Sequence, residues 1–253
     1  MTSDHQNLFG QTAVVTGASS GIGRAIAVEL AAVGANILVH ARANRDGTEQ
    51  VCREIQSLGR ETCFELLDLA SQQAQDDLVE RAFRWQDIDI WINNAGADVL
   101  TGEASGWSFE KKLELLWNVD VTATIRLSRQ VGALMQKRGH GVILNMGWDQ
   151  ADTGMAGDSG EMFAATKGAI MAFTQSLAKS LAPTVRVNCL APGWIRTSWG
   201  EAASSYWQDR GQQESLLERW GTPEDVAQMA RFLVSPSAEF ITGQTIRVDG
   251  GRR

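Results

Sequence analysis

Two groups of residues in this sequence are spaced for chemistry. The first is Gly17-Ala18-Ser19-Ser20-Gly21-Ile22-Gly23, between a β-branched run and an amphipathic segment. Glycines at such a turn let the backbone approach a pyrophosphate, whose charge the free N–H groups at the helix start can meet. The second is the stretch Gly141 to Gly168, which delivers Lys167 four residues after Phe163, so that both side chains share one helix face. An ammonium so placed can hold hydroxyl groups or take part in proton transfer. Between the strand and that helix lie Asp149, Asp152, Asp158 and Glu161. The competing readings are an ordinary tight turn for the glycines and a solvated loop for the acids.

The elements that must position these groups alternate along the chain. Thr12 to Thr16 reads as a strand, followed by a helix with the stripe Ile22, Ile26, Leu30 and Val33, then a strand from Ala35 to Ala41. Strand, glycine turn, helix, strand is a βαβ unit. Helices are expected over Asn44–Leu58, Ser71–Trp85, Ser108 to about Lys137 and 161–182, with strands over Thr62–Leu67, Ile88–Ile92, 142–146, Val185–Leu190 and Thr245–Val248. Gly147 to Gly160 reads as a loop. Thr222-Pro223-Glu224-Asp225 is a helix start, with a capping hydroxyl, proline in the first turn and acids beside it. The alternation predicts an α/β fold, one doubly wound parallel sheet of Rossmann type with helices on both faces, as a single domain over 1–253.

Composition excludes other classes. A net charge of -7 with scattered basic residues argues against a nucleic-acid or anionic-membrane surface. The three cysteines, Cys52, Cys63 and Cys189, lack metal-ligand spacing and read as reduced thiols, and no metal site is expected. The opening MTSDHQNLFG has neither a basic nor an apolar leader region, and no apolar run reaches membrane-spanning length, so a cytoplasmic protein is expected.

Together the motifs resemble the short-chain dehydrogenase/reductase family. The matching residues are Thr16 to Gly23, Asp68-Leu69, Asn93-Asn94-Ala95-Gly96, Lys167, Pro192-Gly193 with Thr197, and Ile241-Thr242-Gly243-Gln244 through Asp249-Gly250-Gly251. The resemblance implies a nicotinamide dinucleotide cofactor and a homo-oligomer, tetramer or dimer. It assigns Gly17, Ser19, Ser20, Gly21, Ile22 and Gly23 to the pyrophosphate turn and Asp68 with Leu69 to the adenine. It assigns Asn94, Ala95 and Gly96 to the ribose wall, and Pro192, Gly193, Ile195 and Thr197 to the nicotinamide carboxamide end. Where a relative selecting NAD(H) would carry an acid for the ribose 2′-hydroxyl, this chain has Ala41 followed by Arg42. A guanidinium beside that position matches a 2′-phosphate, which favours NADP(H) over NAD(H).

The resemblance breaks at the catalytic set. The family uses an asparagine, a serine, a tyrosine and a lysine; the matching positions here are Asp120, Trp148, Phe163 and Lys167. Phenylalanine has no proton to give, and losing a positioned acid/base forfeits roughly 10²- to 10⁴-fold in rate. Tryptophan cannot replace a hydroxyl that held the substrate oxygen, a loss of about 10²- to 10³-fold. Asp120 is an anion expected near Lys167 and so available to pair with it. Tyr206 or a loop acid is the alternative proton source, and Lys167 can still hold the nicotinamide ribose. Trp148, Trp194, Trp199, Trp207 and Trp220 fall in segments expected around the site or its lid, read either as core or as a pocket for a flat or apolar ligand. Two functions follow: an NADP(H)-dependent oxidoreductase with weak or absent ordinary carbonyl chemistry, or a silent NADP(H)-binding sensor, regulator or partner subunit.

Overall fold

A computed structural model describes residues 7–253. Of the opening segment read above for a leader, residues 1–6 lie outside the described residues, as does the side chain of Trp199. Seven parallel strands, β1 (Thr12–Val15), β2 (Asn36–Ala41), β3 (Thr62–Leu66), β4 (Ile90–Asn93), β5 (Gly141–Met146), β6 (Val185–Pro192) and β7 (Thr245–Val248), form one sheet. Their order is β3-β2-β1-β4-β5-β6-β7, the doubly wound arrangement of the Rossmann fold. The order reverses between β1 and β4, and in such sheets ligands bind outside the carboxyl ends of the strands at that reversal.

Helices cover both faces because the central strands are apolar on both sides. On one face lie α1 (Gly21–Ala32), α2 (Arg45–Ser57) and α9 (Pro223–Val234); Ile26, Leu30, Val226 and Leu233 there are buried. The other face carries α3 (Gln72–Trp85), α5 (Thr124–Arg138) and α6 (Asp158–Leu181), packed through Leu78, Leu127, Val131, Leu177 and Trp91. The start of α9 follows its sequence signature. Thr222 accepts from the Asp225 N–H, and the Asp225 carboxylate accepts from the Thr222 N–H, a reciprocal cap.

The expected long helix from Ser108 is not uniform. It runs as α4 (Phe109–Leu116), a π-helical segment Trp117–Ala123, and then α5. The wider turn buries Asp120, Val121 and Ala123 together; such bulges are common at functional sites. Helix α6 starts three residues before the expected Glu161, at Asp158, because apolar periodicity marks where a helix is buried, not where it begins. Two short helices, α7 (Ser198–Ala202) and α8 (Ser205–Glu214), were not marked by periodicity at all.

A polar network crosses the apolar core below the site. Asn93 donates to Asn145 Oδ1 (2.9 Å) and Ser128 Oγ (2.8 Å), Asn145 donates to Thr174 Oγ1 (2.9 Å), and Trp91 donates to Asn93 Oδ1 (2.8 Å). It ties the ends of β4 and β5 to α5 and α6, the elements that carry the site. All four polar residues are buried, so each group that loses its partner costs roughly 1–3 kcal/mol. Asn145→Ala is therefore expected to lower unfolding stability by at least that amount, read as a shift in urea midpoint at unchanged slope.

Candidate active site

The carboxyl ends of the strands open onto two cavities, and Asn94 lines both. One, of about 570 Å³, is lined by Gly17, Ser19, Ser20, Ala41, Arg42, Asp68, Leu69 and Asn94 to Asp98. The other, of about 460 Å³, is lined by Ile22, Met146, Trp148, Ser159, Phe163, Lys167 and Pro192 to Ile195, with Thr197, Trp207 and Trp220. The structure thus brings together nearly every residue picked from the sequence. Gly21, Gly23 and Asp120 line neither cavity, Asp120 being buried. Gly23 is required by packing, since a Cβ there would lie 2.3 Å from Gly17 O and 2.4 Å from Asn94 Nδ2. Gly17 and Gly21 take φ of +63° and +54°, which only glycine adopts without strain.

The first cavity fits the adenosine and pyrophosphate of a dinucleotide. Ser20 makes no side-chain cap to α1, and the first turn of α1 holds no acid. Its N–H groups therefore face the turn with the partial positive charge that an anion needs. Asn94 fixes the turn from across the sheet, donating to Thr16 O (2.9 Å) and Gly17 O (3.1 Å). His40, which the sequence did not single out, sits beneath it. Its Nε2 donates to Leu67 O at 3.0 Å and its Nδ1 accepts from the Gly17 N–H at 3.4 Å. Burial lowers the His40 pKa to about 4, against the pull of the Leu67 carbonyl and Asp68, so the ring is neutral at neutral pH. Arg42 is exposed at the mouth. Across from it, despite partial burial, hydrogen bonds from Thr101 and Leu100 and the charge of Arg42 hold the Asp98 carboxyl below its usual range.

Lys167 lines the second cavity, and its Nζ lies 2.8 Å from Oδ2 of Asp120 behind it, with the lysine 15% and the aspartate 2% exposed. Asp120 Oδ1 accepts from the Ala97 N–H at 2.8 Å, so both carboxylate oxygens are engaged. Gly96 makes room for this, since a Cβ there would lie 3.1 Å from Asp120 Oδ2. An ammonium carries three donors, and the pair to Asp120 leaves others for ribose hydroxyls. The remaining walls are aromatic. Trp148 meets Phe163 edge to face at 6.3 Å, and Trp194 lies 5.6 Å from both Trp207 and Trp220.

None of the alternative proton sources lines this cavity. Asp149 is buried and ion-paired with Arg252 at 2.9 Å, and Asp152 pairs with Arg247. Asp158 and Glu161 are exposed. Tyr206 is 63% exposed and packs its ring against Trp207. Ser159, Met155 and Leu100 are lining residues the sequence reading missed. Ser159 had a signal, standing four residues before Phe163 and eight before Lys167 on the same helix face. The thiols of Cys63 and Cys189 are pushed up to about 12 by burial, which leaves them unreactive.

A parallel sheet with this order, a glycine turn at the reversal and a lysine on the helix after β5 define a dinucleotide-binding oxidoreductase fold. Comparison with known proteins specifies the family. The family model described as enoyl-(acyl carrier protein) reductase matches residues 17–253. A 3-oxoacyl-(acyl-carrier-protein) reductase from Synechocystis sp. is 34% identical over 96% of this chain and 97% of its own length. Among solved structures, a 7α-hydroxysteroid dehydrogenase complexed with NADH and 7-oxo glycochenodeoxycholic acid superposes with a TM-score of 0.90 at 30% identity, covering 100% of this chain and 98% of its own. A 3-oxoacyl-(acyl-carrier-protein) reductase from Agrobacterium tumefaciens C58 with NADP bound gives 0.89 at 30% identity, covering 99% and 97%. The chain belongs to the short-chain dehydrogenase/reductase family of oxidoreductases, whose cofactor is a nicotinamide dinucleotide. No helix among the described residues is long and apolar enough to cross a membrane.

Two buried groups give this site opposite pH dependences. His40 has a folded pKa below its unfolded 6.5, so it contributes stability that is present above pH 6.5 and lost as pH falls toward 4. Burial lifts Asp149 to about 6 despite Arg252, so its contribution is present below 3.8 and lost as pH rises through 6. The two slopes oppose each other, and a difference measurement separates them. The stability gap between wild type and His40→Gln is expected to narrow by up to roughly 3 kcal/mol between pH 7 and pH 4, measured by denaturant unfolding; a constant gap would contradict the neutral buried imidazole.

Proposed function

We propose that this protein binds NADP(H) and presents it to a flat or apolar ligand in a cavity that lacks the family's proton-transferring groups. It is then an oxidoreductase with weak or absent ordinary carbonyl reduction and alcohol oxidation. The observation that carries the reading is that Lys167, lining a cavity walled by Trp148 and Phe163, is paired at 2.8 Å with the buried Asp120. A nicotinamide supplies or accepts hydride, but reducing a carbonyl also generates an alkoxide that must be protonated. Phe163 has no proton, Trp148 fills the serine position with an indole, and the Lys167 ammonium is already held by a carboxylate.

NADP(H) is supported by Arg42 and Ser19 lining the same end of the first cavity, with Ala41 in place of an acid. The relatives differ here, since the solved neighbours include complexes with NADH and with NADP. Arg42 is exposed and its charge meets Asp98, so the preference is expected to be moderate and salt-sensitive. The second reading, a silent NADP(H)-binding sensor, regulator or partner subunit, is favoured by the same ion pair. Both oxygens of Asp120 are engaged, so it holds Lys167 for binding and does not relay protons. The homo-oligomer and the cytoplasmic location are carried by family resemblance and sequence alone.

Fluorescence titration should give NADPH a dissociation constant about tenfold below that of NADH, a difference near 1.4 kcal/mol, and Arg42→Ala should abolish the difference. Absence of binding by either cofactor would end the proposal. A panel of ketones and alcohols with saturating cofactor should give turnover close to solvent background. Robust turnover would contradict the roles given to Phe163 and Trp148.

A further inference from the structure

Behind the aromatic walls of the second cavity lies a chain of charges. Asp149 directly follows Trp148, and its Oδ2 accepts from Arg252 Nη1 at 2.9 Å. The other end of the same guanidinium donates to Glu214 Oε2 at 2.7 Å. That oxygen also accepts the indole N–H of Trp194 at 2.9 Å, and Glu214 Oε1 accepts from Arg210 Nε at 2.7 Å. Glu214 closes helix α8, the element that carries Trp207. The backbone reinforces the arrangement, since the Arg253 N–H donates to Glu214 O at 3.0 Å and the Leu216 N–H to Gly251 O at 2.9 Å.

We propose that Arg252 is a positioning residue that bridges Asp149 and Glu214 and so fixes the Trp148 wall of the cavity against the Trp194–Trp207 wall, setting which ligands the cavity admits. The inference rests on reading this cavity as a ligand site. A guanidinium is suited to the task because its planar fork can serve two carboxylates at once, which an ammonium does with less geometric control. The two ends do not depend on it equally. Glu214 keeps Arg210 if Arg252 is lost. Asp149 has only a weaker reserve, because Arg247 lends it charge without a hydrogen bond and is engaged by Asp152, while Asp249 nearby adds repulsion. Asp149 Oδ1 is also buried with no hydrogen-bond partner among the described residues. A buried carboxylate stripped of its counter-charge must protonate or move, and moving it displaces the adjoining Trp148. Loss of Arg252 is therefore expressed at the Trp148 wall first.

The bridge also responds to acid. With Arg252, Arg247 and Asp249 as the charges facing it, Asp149 takes up a proton as pH falls below about 6, and one of the two ion pairs loses its charge. The bridge is complete at pH 8 and weakened at pH 5.

The test uses N-phenyl-1-naphthylamine, a neutral flat fluorescent probe, titrated at pH 8 and pH 5 into wild type, Arg252→Gln, Arg252→Lys and Asp149→Asn, with an NADPH titration beside each. At pH 8, Arg252→Gln is expected to weaken probe binding roughly tenfold, as for one lost positioning interaction, with NADPH affinity within about twofold of wild type and partial recovery in Arg252→Lys. Wild type should bind the probe less tightly at pH 5, and Asp149→Asn should show little pH dependence. Unchanged probe binding in Arg252→Gln overturns the proposal. If that variant loses NADPH binding as well, as a folding defect would cause, the pH profiles decide: matching profiles of wild type and Asp149→Asn overturn it. Wild type that binds NADPH but never the probe overturns it through the ligand-site reading, while leaving the cofactor reading in place.

Discussion

The buried pair between Asp120 and Lys167 is the constraint around which the site is arranged. Neither charge could sit at 2% and 15% exposure without the other, since an unpaired charge in such surroundings must neutralise or find water. The π-helical segment turns Asp120 inward, Gly96 leaves room for its carboxylate, and the Ala97 N–H takes its second oxygen. Helix α6 brings Lys167 from the other side, held in place by the Asn93–Asn145–Thr174 network beneath it. Much of the family's scaffold is thus retained, while the lysine's nearest partner is a fixed anion.

That pair divides the cleft into two chemical regimes. Toward β1 and β2 lie polar backbone, an uncapped helix start and Arg42, which match a charged dinucleotide. Toward α6 and α8 lie indoles, thioethers and Phe163, with Lys167 as the one titratable side chain lining the cavity among the described residues. Such a wall gains energy from apolar and stacking contact, with Ser159 and Thr197 as its hydroxyl residues. Three nearby carboxylates that line no part of this wall, Asp149, Asp152 and Glu214, are held in ion pairs with arginines.

The fold was legible because parallel strands buried on both faces read as apolar runs between amphipathic helices, and the glycine turn marks its own place at the sheet reversal. Gly17 and Lys167 stand out in the sequence by their place between strand and helix, whereas Asp68, Asn94 and Thr197 were assigned through the family resemblance; all five line the two cavities. The π-helical segment could not, because its apolar positions remain compatible with an ordinary helix and only the backbone reveals the extra residue per turn. His40 and Arg252 were missed for a different reason. A lone histidine in a strand and an arginine beyond the last strand carry no local pattern, and their importance lies in partners far apart in sequence, Gly17 with Leu67 and Asp149 with Glu214. The loop acids were visible but ambiguous, since sequence does not tell a carboxylate facing the cavity from one turned away toward an arginine.

The central claim is that substitution at three positions, and not loss of the fold or cofactor site, removes ordinary carbonyl chemistry. The most direct measurement is NADPH oxidation with an aromatic ketone such as 1-tetralone, comparing wild type, Trp148→Ser/Phe163→Tyr, and that double variant with Asp120→Asn added. The account predicts no turnover above background in wild type, measurable turnover once hydroxyls are restored, and a further rise when Lys167 is released from Asp120. Wild-type turnover equal to that of the triple variant would contradict it.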